Sequence, residues 1–409
     1  MERVSAVVVG GGVVGLACAR ALAARSSASY TVAVLEGATS LGAGASTRNS
    51  GVIHAGLYYG GTESLKGRLC TEGRRLLYDY ARERGVPHNN CGKLVVATNT
   101  GEGVKLRSIL ASARKNGLGE SECRLISSSE ARALEPNVVC TEALWSATTG
   151  TIDAASLVSS FECDLVEESQ GKVTVAVNCR VTSGRVLPAD GRGRQARFAL
   201  ETSLGPIACD HLVNAAGMHA AQLVSTIEGL SPASIPPAHS YFAKGNYFRL
   251  ARAHMNGRAF TRHVYPVPAD GGLGVHATVD PSGAVRFGPD VEWLAPPSPA
   301  PGAGSKWAWA RQHAPTSASL YSVDESRADA FYAAIRRYYP SLPDGALEPD
   351  YAGVRSKLSG PGQPAADFLL LSDPALPQCV SLLGVESPGL TSCLALGILV
   401  SKTVLDSRF

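Results

Sequence analysis

The sequence predicts a fold of the mixed α/β and α+β class, with a discontinuous Rossmann-like domain and a second domain that is a mostly antiparallel β-sheet. Two observations predict the first domain. The apolar residues 4–9 run into a glycine-rich turn at residues 10–15, and a second apolar strand, residues 30–35, ends at Glu36. This order of strand, glycine turn, helix and strand is typical of a parallel dinucleotide-binding unit. The second domain is predicted by the strand-rich region 240–293.

The glycine turn carries the first functional signal. Gly10 permits the tight turn, Gly12 lets a pyrophosphate approach the backbone, and Gly15 lets the helix pack closely on the strand. The helix N-terminus offers free N–H groups and a positive dipole end to the phosphates. Glu36 follows Gly15 by twenty-one residues, where it can accept hydrogen bonds from an adenosine ribose. A tight turn in another α/β protein is the alternative, but the strand context favours a dinucleotide site, with its identity open.

The other elements follow from hydrophobic periodicity and turn residues. Helices are predicted over residues 62–84, 104–116, 128–134, 154–168 and 324–339, and strands over 93–97, 172–186, 197–203 and 211–215. A strand, a turn and a helix close the chain over 379–405, and 295–319 is a surface loop or a lid. We therefore predict one domain from residues 1–86, 145–217 and 352–409, and a second, substrate-binding domain from 87–144 and 218–351.

Composition excludes several classes of protein. Of the 409 residues, 38 are basic and 35 acidic, and a net charge of +3 gives no strong attraction to nucleic acid or to an anionic membrane. The ten cysteines show neither a CxxC pair nor metal-ligand spacing, which indicates reduced thiols, no metal site and a reducing intracellular compartment. Glu386 and Pro388 interrupt the C-terminal apolar stretch, so no transmembrane segment is expected.

The two ends of the chain bear on the cellular location of the protein. The first strand begins close to Met1, which leaves no room for a mitochondrial presequence, and the cytoplasm is favoured. The C-terminal residues 407–409, Ser-Arg-Phe, are weakly similar to a peroxisomal address, so a peroxisome is an alternative.

Two further segments have the composition of a site. Residues 46–59 place small residues beside Arg48, His54, Tyr58 and Tyr59. Small residues let the backbone approach a flat ring, and a histidine there can move a proton near neutral pH; a structural imidazole is the alternative. In residues 384–391 a strand ends in a small-residue turn, and the helix that follows directs its N-terminus back toward the site. That positive end suits the pyrimidine edge of a flavin, whereas a capped core helix is the alternative.

Ten motifs extend these segments along the chain. They are GGGVVGL (10–16), NSGVIHAGLYY (49–59), SLKGRLC (64–70), CGKLVVAT (91–98), LVNAAG (212–217), KGNYF (244–248), YPVP (265–268), LGVH (273–276), GVRSK (353–357) and VESPGLT (385–391). Taken in this order, they resemble the L-2-hydroxyglutarate dehydrogenase family, FAD-dependent oxidoreductases of the D-amino-acid oxidase superfamily.

The resemblance implies FAD as the cofactor and assigns its contacts. The ADP half would be held by Gly10, Gly12, Val13, Val14, Gly15 and Glu36, and the adenosine by the strand around Val181 and by Ala216 and Gly217. The pyrophosphate and flavin would meet Ser46, Arg48, Asn49 and Ser50, and the pyrimidine ring would meet Gly389, Leu390 and Thr391. Family members usually carry His in place of Arg48 and Pro in place of Ser356, so a sister branch with another hydroxy acid stays open.

Oxidation of a 2-hydroxy acid needs a carboxylate clamp and a base. Arg355 is the predicted clamp, because a guanidinium matches both carboxylate oxygens; an ion pair with an aspartate is the alternative. His54 or His276 is the predicted base, without a ranking. Tyr241 and Lys244 are candidates for a distal carboxylate, and Tyr58 and Tyr59 for packing against the ring or the ligand.

The leading functional hypothesis is FAD-dependent oxidation of a 2-hydroxy acid, with L-2-hydroxyglutarate as the first substrate and 2-oxoglutarate as the product. Electrons would pass to a quinone, an electron-transfer protein or O2, and the family resemblance adds the mitochondrion as a possible location. The alternatives are an amino-acid or glycerol-phosphate oxidase or dehydrogenase, and a flavin-bearing assembly factor without turnover. The opening motif alone would also allow an NAD-dependent dehydrogenase.

Overall fold

The structure, a computed structural model, describes residues 1–61, 63–188, 197–230, 241–254, 259–268, 274–294, 318–373 and 376–406. Residues 295–317 of the predicted loop or lid and the C-terminal tripeptide 407–409 lie outside these ranges.

Eight α-helices are present in the described ranges. They are α1 Val13–Arg25, α2 Leu65–Glu83, α3 Gly103–Lys115, α4 Ser128–Leu134, α5 Ala154–Cys163, α6 Ala220–Ser225, α7 Ala328–Arg336 and α8 Gly389–Leu405. The strands are β1 Glu2–Val9, β2 Val32–Leu35, β3 Val52–Ile53, β4 His88–Asn89, β5 Lys93–Ala97, β6 Cys123–Ser127, β7 Glu142–Ser146, β8 Gly150–Ile152, β9 Val173–Ala176, β10 Val181–Val186, β11 Phe198–Thr202, β12 Ile207–Asn214, β13 Ile227–Glu228, β14 Tyr241–Leu250, β15 His263–Pro266, β16 Ala277–Val279, β17 Val285–Phe287, β18 Glu292–Trp293, β19 Leu347–Lys357, β20 Leu369–Asp373 and β21 Leu376–Leu383.

The first sheet has the predicted Rossmann-like centre. Five strands run parallel in the order β9-β2-β1-β12-β21, with Val8 of β1 between Val34 of β2 and Val213 of β12. The first half of β12 also pairs with β11, so that β10, β11 and β12 form an antiparallel meander at one end. All strands of the parallel centre direct their carboxyl ends to one edge, where such sheets bind ligands.

The second sheet is mostly antiparallel, as predicted. Its order is β18-β14-β17-β16-β15-β5-β7-β6, with β19 on β14, and β5 with β15 is its parallel pair. A small third sheet, β3-β8-β4, contains Ile53 and Ile152 of the hydrophobic core.

Helix packing covers one face of the first sheet. α1 and α8 lie against each other, and Gly397 permits the close approach because a Cβ there would lie 2.5 Å from the carbonyl oxygen of Ala17. The N-termini of both helices, Val13 and Gly389, therefore reach the same edge of the sheet, the edge that the sequence predicted for the cofactor.

Several predicted elements differ in detail. Residues 172–186 are not one strand: β9 adds to the parallel centre beside β2, whereas β10 pairs with β11 in the meander. The two strands are separated by a break at Asn178, whose φ is +54°. The predicted helix 154–168 is α-helical only to Cys163 and continues as a π-helical turn, Asp164–Glu168. The strand predicted from residue 211 begins earlier, at Ile207. The predicted division into two domains stays a prediction.

Candidate functional site

One cavity of about 900 Å³ opens at the carboxyl edge of the parallel strands and extends to the second sheet. It brings together most of the predicted site residues: Gly10, Gly12, Val13, Val14, Glu36, Ser46, Arg48, Asn49, Ser50, His54, Val181, Ala216, Gly217, His276, Arg355, Gly389 and Leu390 line it. Six predicted residues are not among its lining residues: Gly15, Tyr58, Tyr59, Tyr241, Lys244 and Thr391.

The glycine turn is shaped as the motif requires. Gly10 has a φ of +108°, and a Cβ at Gly15 would collide with the carbonyl oxygen of Gly10. Glu36 holds the turn from the side, because its carboxylate accepts hydrogen bonds from the backbone N–H groups of Gly11 and Ala38, both at 2.7 Å. The carboxylate thus fixes the backbone of the turn, and Glu36 also lines the cavity.

The loop of residues 46–50 completes this end of the cavity. Ser46 Oγ accepts a hydrogen bond from the backbone N–H of Val13 at 2.9 Å, so a distant loop caps the first turn of α1. Asn49 orders the loop through its amide: Nδ2 donates to the carbonyl of Ser46, and Oδ1 accepts from the N–H of Gly51. Ser50 Oγ lies 3.1 Å from the hydroxyl of Tyr247, which joins the loop to the second sheet.

His54 stands where the loop meets α8. Its backbone N–H donates to Thr391 Oγ1 at 3.0 Å, and its Nε2 lies 3.2 Å from Ser387 Oγ. Nδ1 of His54 has no hydrogen-bond partner among the described residues. Burial, and after it the charge of Lys93, holds the pKa of His54 well below 6.5. The imidazole is therefore neutral at physiological pH and has a nitrogen available to accept a proton.

Thr391 acts as a structural link. Its side chain is fully buried, and its hydroxyl also donates to the carbonyl of Val52. It therefore fixes the N-terminal turn of α8 against β3 and the loop that carries His54.

His276 forms another part of the wall. Its ring stacks on that of Tyr265, with ring centroids 3.6 Å apart and an angle of 8° between the planes. Behind Tyr265 lies the fully buried Lys93, whose Nζ is 4.4 Å from the centroid of the Tyr265 ring. His276 and His54 are thus both within the cavity, and both predicted candidates for the base remain.

Arg355 enters the cavity from β19. β14 and β19 place Ala243 opposite Arg355 and Gly245 opposite Gly353, so these four residues share one face of the sheet. Arg355 Nη2 donates to the backbone carbonyl of Asp290 at 2.7 Å. This contact orients the guanidinium.

The aspartates considered as alternative partners of Arg355 have other contacts. Asp350 pairs with Arg286, and Asp367 accepts hydrogen bonds from the backbone N–H groups of Leu65 and Lys66. The guanidinium of Arg355 is therefore positioned by a neutral backbone carbonyl, and this contact does not compensate the positive charge of the guanidinium.

Three predicted substrate residues lie elsewhere. Lys244 alternates with Ala243 and Gly245 on β14, so its side chain is on the opposite face, 7% exposed and 3.8 Å from Glu292. Tyr241 packs edge-on against Trp293. Tyr58 lies beneath Lys93 in a hydrophobic cluster, and burial raises its pKa well above 10. Their predicted contacts with a substrate stay predictions.

Arg48 presents a second guanidinium to the cavity. Its Cζ lies 4.3 Å from the ring centroid of Tyr321, and its Nε donates to the carbonyl of Ala43. Stacking on an aromatic ring fixes the plane of a guanidinium while leaving its edge able to donate. Arg48 and Arg355 thus bring positive charge to the cavity from segments far apart in the chain.

The residues fit FAD. Open space surrounds the positions where Cβ atoms would lie at Gly44 and Gly217, both in the cavity wall, so a flat or extended ligand can approach the backbone there. Val181 and Thr182 line the end that the resemblance assigns to adenine, and the N-terminus of α8 lines the other. Two helix N-termini in one cavity suit a pyrophosphate and an electron-rich ring.

Sequence reasoning did not assign roles to Lys93, Tyr265, Ser387 or Asp290. The apolar run Lys-Leu-Val-Val-Ala predicts a buried strand, but it gives no signal that the amine of Lys93 is buried too, because lysine is almost never fully buried unless it is paired. Asp290 acts through its backbone carbonyl, for which the sequence carries no signal.

Comparisons with known proteins agree with this geometry. A family model described as FAD dependent oxidoreductase (DAO) matches residues 5–403. The chain is 40% identical to L-2-hydroxyglutarate dehydrogenase, mitochondrial, of Arabidopsis thaliana, over 97% of this chain and 82% of that protein. It is 31% identical to the human protein of the same name, over 70% of this chain and 60% of the human one.

Solved structures show the same fold. L-α-glycerophosphate oxidase from Mycoplasma pneumoniae, with FAD bound, superposes with a TM-score of 0.79 at 22% identity, over 99% of this chain and 95% of that one. Glycine oxidase from Geobacillus kaustophilus gives a TM-score of 0.75 at 19% identity, over 100% and 96%.

The fold is that of a flavoprotein oxidoreductase with FAD as its cofactor, built on a Rossmann-like sheet. The chain belongs to the DAO family of FAD-dependent oxidoreductases and, within it, to the L-2-hydroxyglutarate dehydrogenase family. Its described helices include none that is long and apolar enough to cross a bilayer.

Proposed function

We propose that this enzyme oxidises L-2-hydroxyglutarate to 2-oxoglutarate. The observation that carries the proposal is Arg355, which directs a guanidinium into the cavity within a chain that is 40% identical to a dehydrogenase named for this substrate. Arg48, which also lines the cavity, would serve the second carboxylate of a dicarboxylate substrate.

The protein residues divide the work of the reaction. Arg355 binds and orients the carboxylate beside the reacting carbon, and the Asp290 carbonyl holds the guanidinium in place. His54, neutral and with Nδ1 available, accepts the proton of the substrate hydroxyl; His276 is the alternative base. Bound FAD supplies the hydride acceptor. Gly10, Gly12, Gly15, Glu36, Ser46 and Asn49 shape and hold its binding surface.

The test is anaerobic reduction of the purified yellow protein. L-2-hydroxyglutarate should bleach the flavin absorbance and yield one 2-oxoglutarate per flavin, whereas D-2-hydroxyglutarate, glycerol 3-phosphate and amino acids should not. Bleaching by glycerol 3-phosphate or an amino acid alone would replace the proposed substrate by that alternative. A bound flavin that no small molecule reduces would favour an assembly factor.

The electron acceptor and the location belong to the same proposal. Turnover with a soluble quinone in air, without release of hydrogen peroxide, would identify a dehydrogenase, and peroxide release would identify O2 as the acceptor.

We place the enzyme in the mitochondrion rather than the cytoplasm or peroxisome, because both relatives described above are named mitochondrial. Immunodetection of the native protein in fractionated cells tests this location.

A further inference from the structure

Lys93 is a buried amine that has no counter-ion in the part of the chain that the structure describes. Its side chain is 0% exposed at the start of β5, and its Nζ has no hydrogen-bond partner among the described residues. Lysine is almost never fully buried unless it is paired. The reaction proposed above does not use it, so its place in the core needs another explanation.

Two tyrosine rings connect Lys93 to the cavity. Nζ lies 5.0 Å from the ring centroid of Tyr58 and 4.4 Å from that of Tyr265. Tyr265 lines the cavity and stacks on the cavity residue His276. The amine is therefore one aromatic ring away from the space that the ligand occupies.

The neighbours of Lys93 are weak acids and imidazoles. The titratable groups that face it from the surrounding elements are Tyr58, Cys70, Cys123, Tyr265, His54 and His263, and His276 stacks on Tyr265. Burial raises the pKa of both thiols and lowers the pKa of His263 to about 4, so these three groups are neutral at pH 7. The surroundings thus supply aromatic rings and polar groups but no formal negative charge.

Such an amine is poised between its two protonation states. Burial lowers the pKa of Lys93 from 10.5 to about 7. A negative charge on the order of 10 Å away, in a medium of effective dielectric constant about 20, raises the titration midpoint of an amine by about one pH unit. An anion entering the cavity would therefore shift the protonation of Lys93 in the physiological range.

We propose that Lys93 is the charge-compensating residue of this site. Its Nζ takes up one proton from solvent when a carboxylate substrate or the reduced, anionic flavin places negative charge in the cavity, and it returns that proton when the charge leaves. Lys93 touches neither the substrate nor the flavin. It is a positioning residue, which acts through Tyr265 and sets the electrostatic potential in the cavity. The part that concerns the carboxylate rests on the proposed function, and the part that concerns the flavin does not.

The experiment follows the Lys93 amine directly in the holoenzyme. Lysine labelled with 13C at Cε reports its own protonation by NMR, and the resonance absent from Lys93→Met identifies residue 93. Lys93→Arg, whose side chain stays charged, is a second variant should the methionine variant not fold. Lys172→Met is the matched control, because the Lys172 ammonium donates to the carbonyl of Ala23 at the far end of α1.

In oxidised, ligand-free wild type the Lys93 resonance should titrate near pH 7, well below the usual range of a lysine. Saturating 2-oxoglutarate should raise the midpoint by about one pH unit, and so should reduction of the flavin by dithionite. Lys172→Met should reproduce both shifts. A Lys93 midpoint near pH 10 in the free enzyme would overturn the proposal.

The two reagents separate failure of this proposal from failure of the proposed substrate. If 2-oxoglutarate leaves the flavin absorbance and the midpoint unchanged while dithionite shifts the midpoint, the substrate assignment fails and Lys93 keeps its role. A midpoint that moves with neither reagent overturns the role of Lys93, whatever the substrate.

Discussion

Arg355 is held in the cavity by Asp290, whose backbone carbonyl accepts its Nη2–H at 2.7 Å. Asp290 is itself fixed by its side chain: the carboxylate accepts hydrogen bonds from Arg327 Nε at 2.6 Å and from the backbone N–H of Asn246 at 2.8 Å. The side chains of Asp290, Asn246 and Arg327 form a polar network and do not line the cavity. The orientation of Arg355, the proposed substrate clamp, therefore depends on residues outside the cavity wall.

Removing the clamp should weaken binding of the acid without releasing the cofactor. A charge-assisted hydrogen bond contributes about 1.5–3 kcal/mol, so Arg355→Met should raise the Kd of 2-oxoglutarate on the order of 10- to 100-fold, at unchanged FAD content. Perturbation of the flavin absorbance during titration measures the Kd. Arg249→Met on β14, which removes an exposed ion pair with Glu348, should bind as wild type does. Loss of FAD from the Arg355 variant would instead place this residue in the cofactor site.

Arg327→Met should also weaken the binding of 2-oxoglutarate, through its effect on Arg355. Loss of its ion pair frees Asp290, so we expect a rise in the Kd of 2-oxoglutarate of about 3- to 10-fold, with FAD retained. The double variant Arg327→Met/Arg355→Met should bind no more weakly than Arg355→Met alone, because the network has no other route to the ligand. Additive effects on Kd would show that Arg327 acts independently of the clamp.

Substitution and pH together rank the two histidines. If His54 is the base, His54→Gln should lower kcat by about 100- to 10,000-fold, and His276→Gln should lower it far less. Because the pKa of His54 is held well below 6.5, its acid limb in kcat/KM should lie below pH 6.5, where the neutral imidazole becomes protonated. That limb should disappear in His54→Gln. The reverse pattern in the two variants would assign the base to His276.

Glu36→Gln tests the glycine turn separately from catalysis. The carboxylate accepts from two backbone N–H groups, Gly11 and Ala38, and an amide must turn a donor toward one of them. We expect the Kd of FAD to rise by about 10-fold or more, measured by flavin fluorescence after dilution. Activity per bound flavin should be unchanged. Normal FAD binding would mean that Glu36 neither supports the turn nor contacts the ribose.

Lys93→Met should stabilise the apoprotein in a pH-dependent way. In the folded protein burial lowers the pKa of Lys93 to about 7, so between pH 7 and about 10 the unfolded chain holds the proton and the folded chain does not. The stability of wild type should therefore rise with pH across this window, and the gain in Tm from Lys93→Met should be largest below pH 7. Differential scanning calorimetry at pH 6 and pH 9 measures both. A variant that is less stable at pH 6 than wild type would mean that the amine makes a favourable contact.

Local sequence was enough to predict the cofactor end of the site. Gly10, Gly12, Gly15 and Glu36 lie within one strand–helix–strand unit, where the backbone conformation follows from glycine spacing and short-range hydrophobic periodicity. The motifs at 49–59 and 385–391 were also recognisable one by one, and the structure brings both to the same cavity.

The substrate end was less predictable because strand register and pairing decide it. The alternation of β14 places Gly245 at the cavity and Lys244 behind it, and a shift of one residue would have exchanged them. The carbonyl that orients Arg355 comes from a residue sixty-five positions away. Because every residue has the same backbone carbonyl, the residue type at that position does not identify the contact.

The sequence by itself therefore determined the family, the glycine-rich turn and the identity of the arginine and histidine candidates, since these depend on residue type and on spacing along one segment. The tertiary structure decided which candidates share a cavity, that Lys244 lies on the far face of β14, and that a lysine without a counter-ion lies one ring behind the wall. Those results depend on long-range packing, in which burial and the distance between charges arise from segments far apart in the chain.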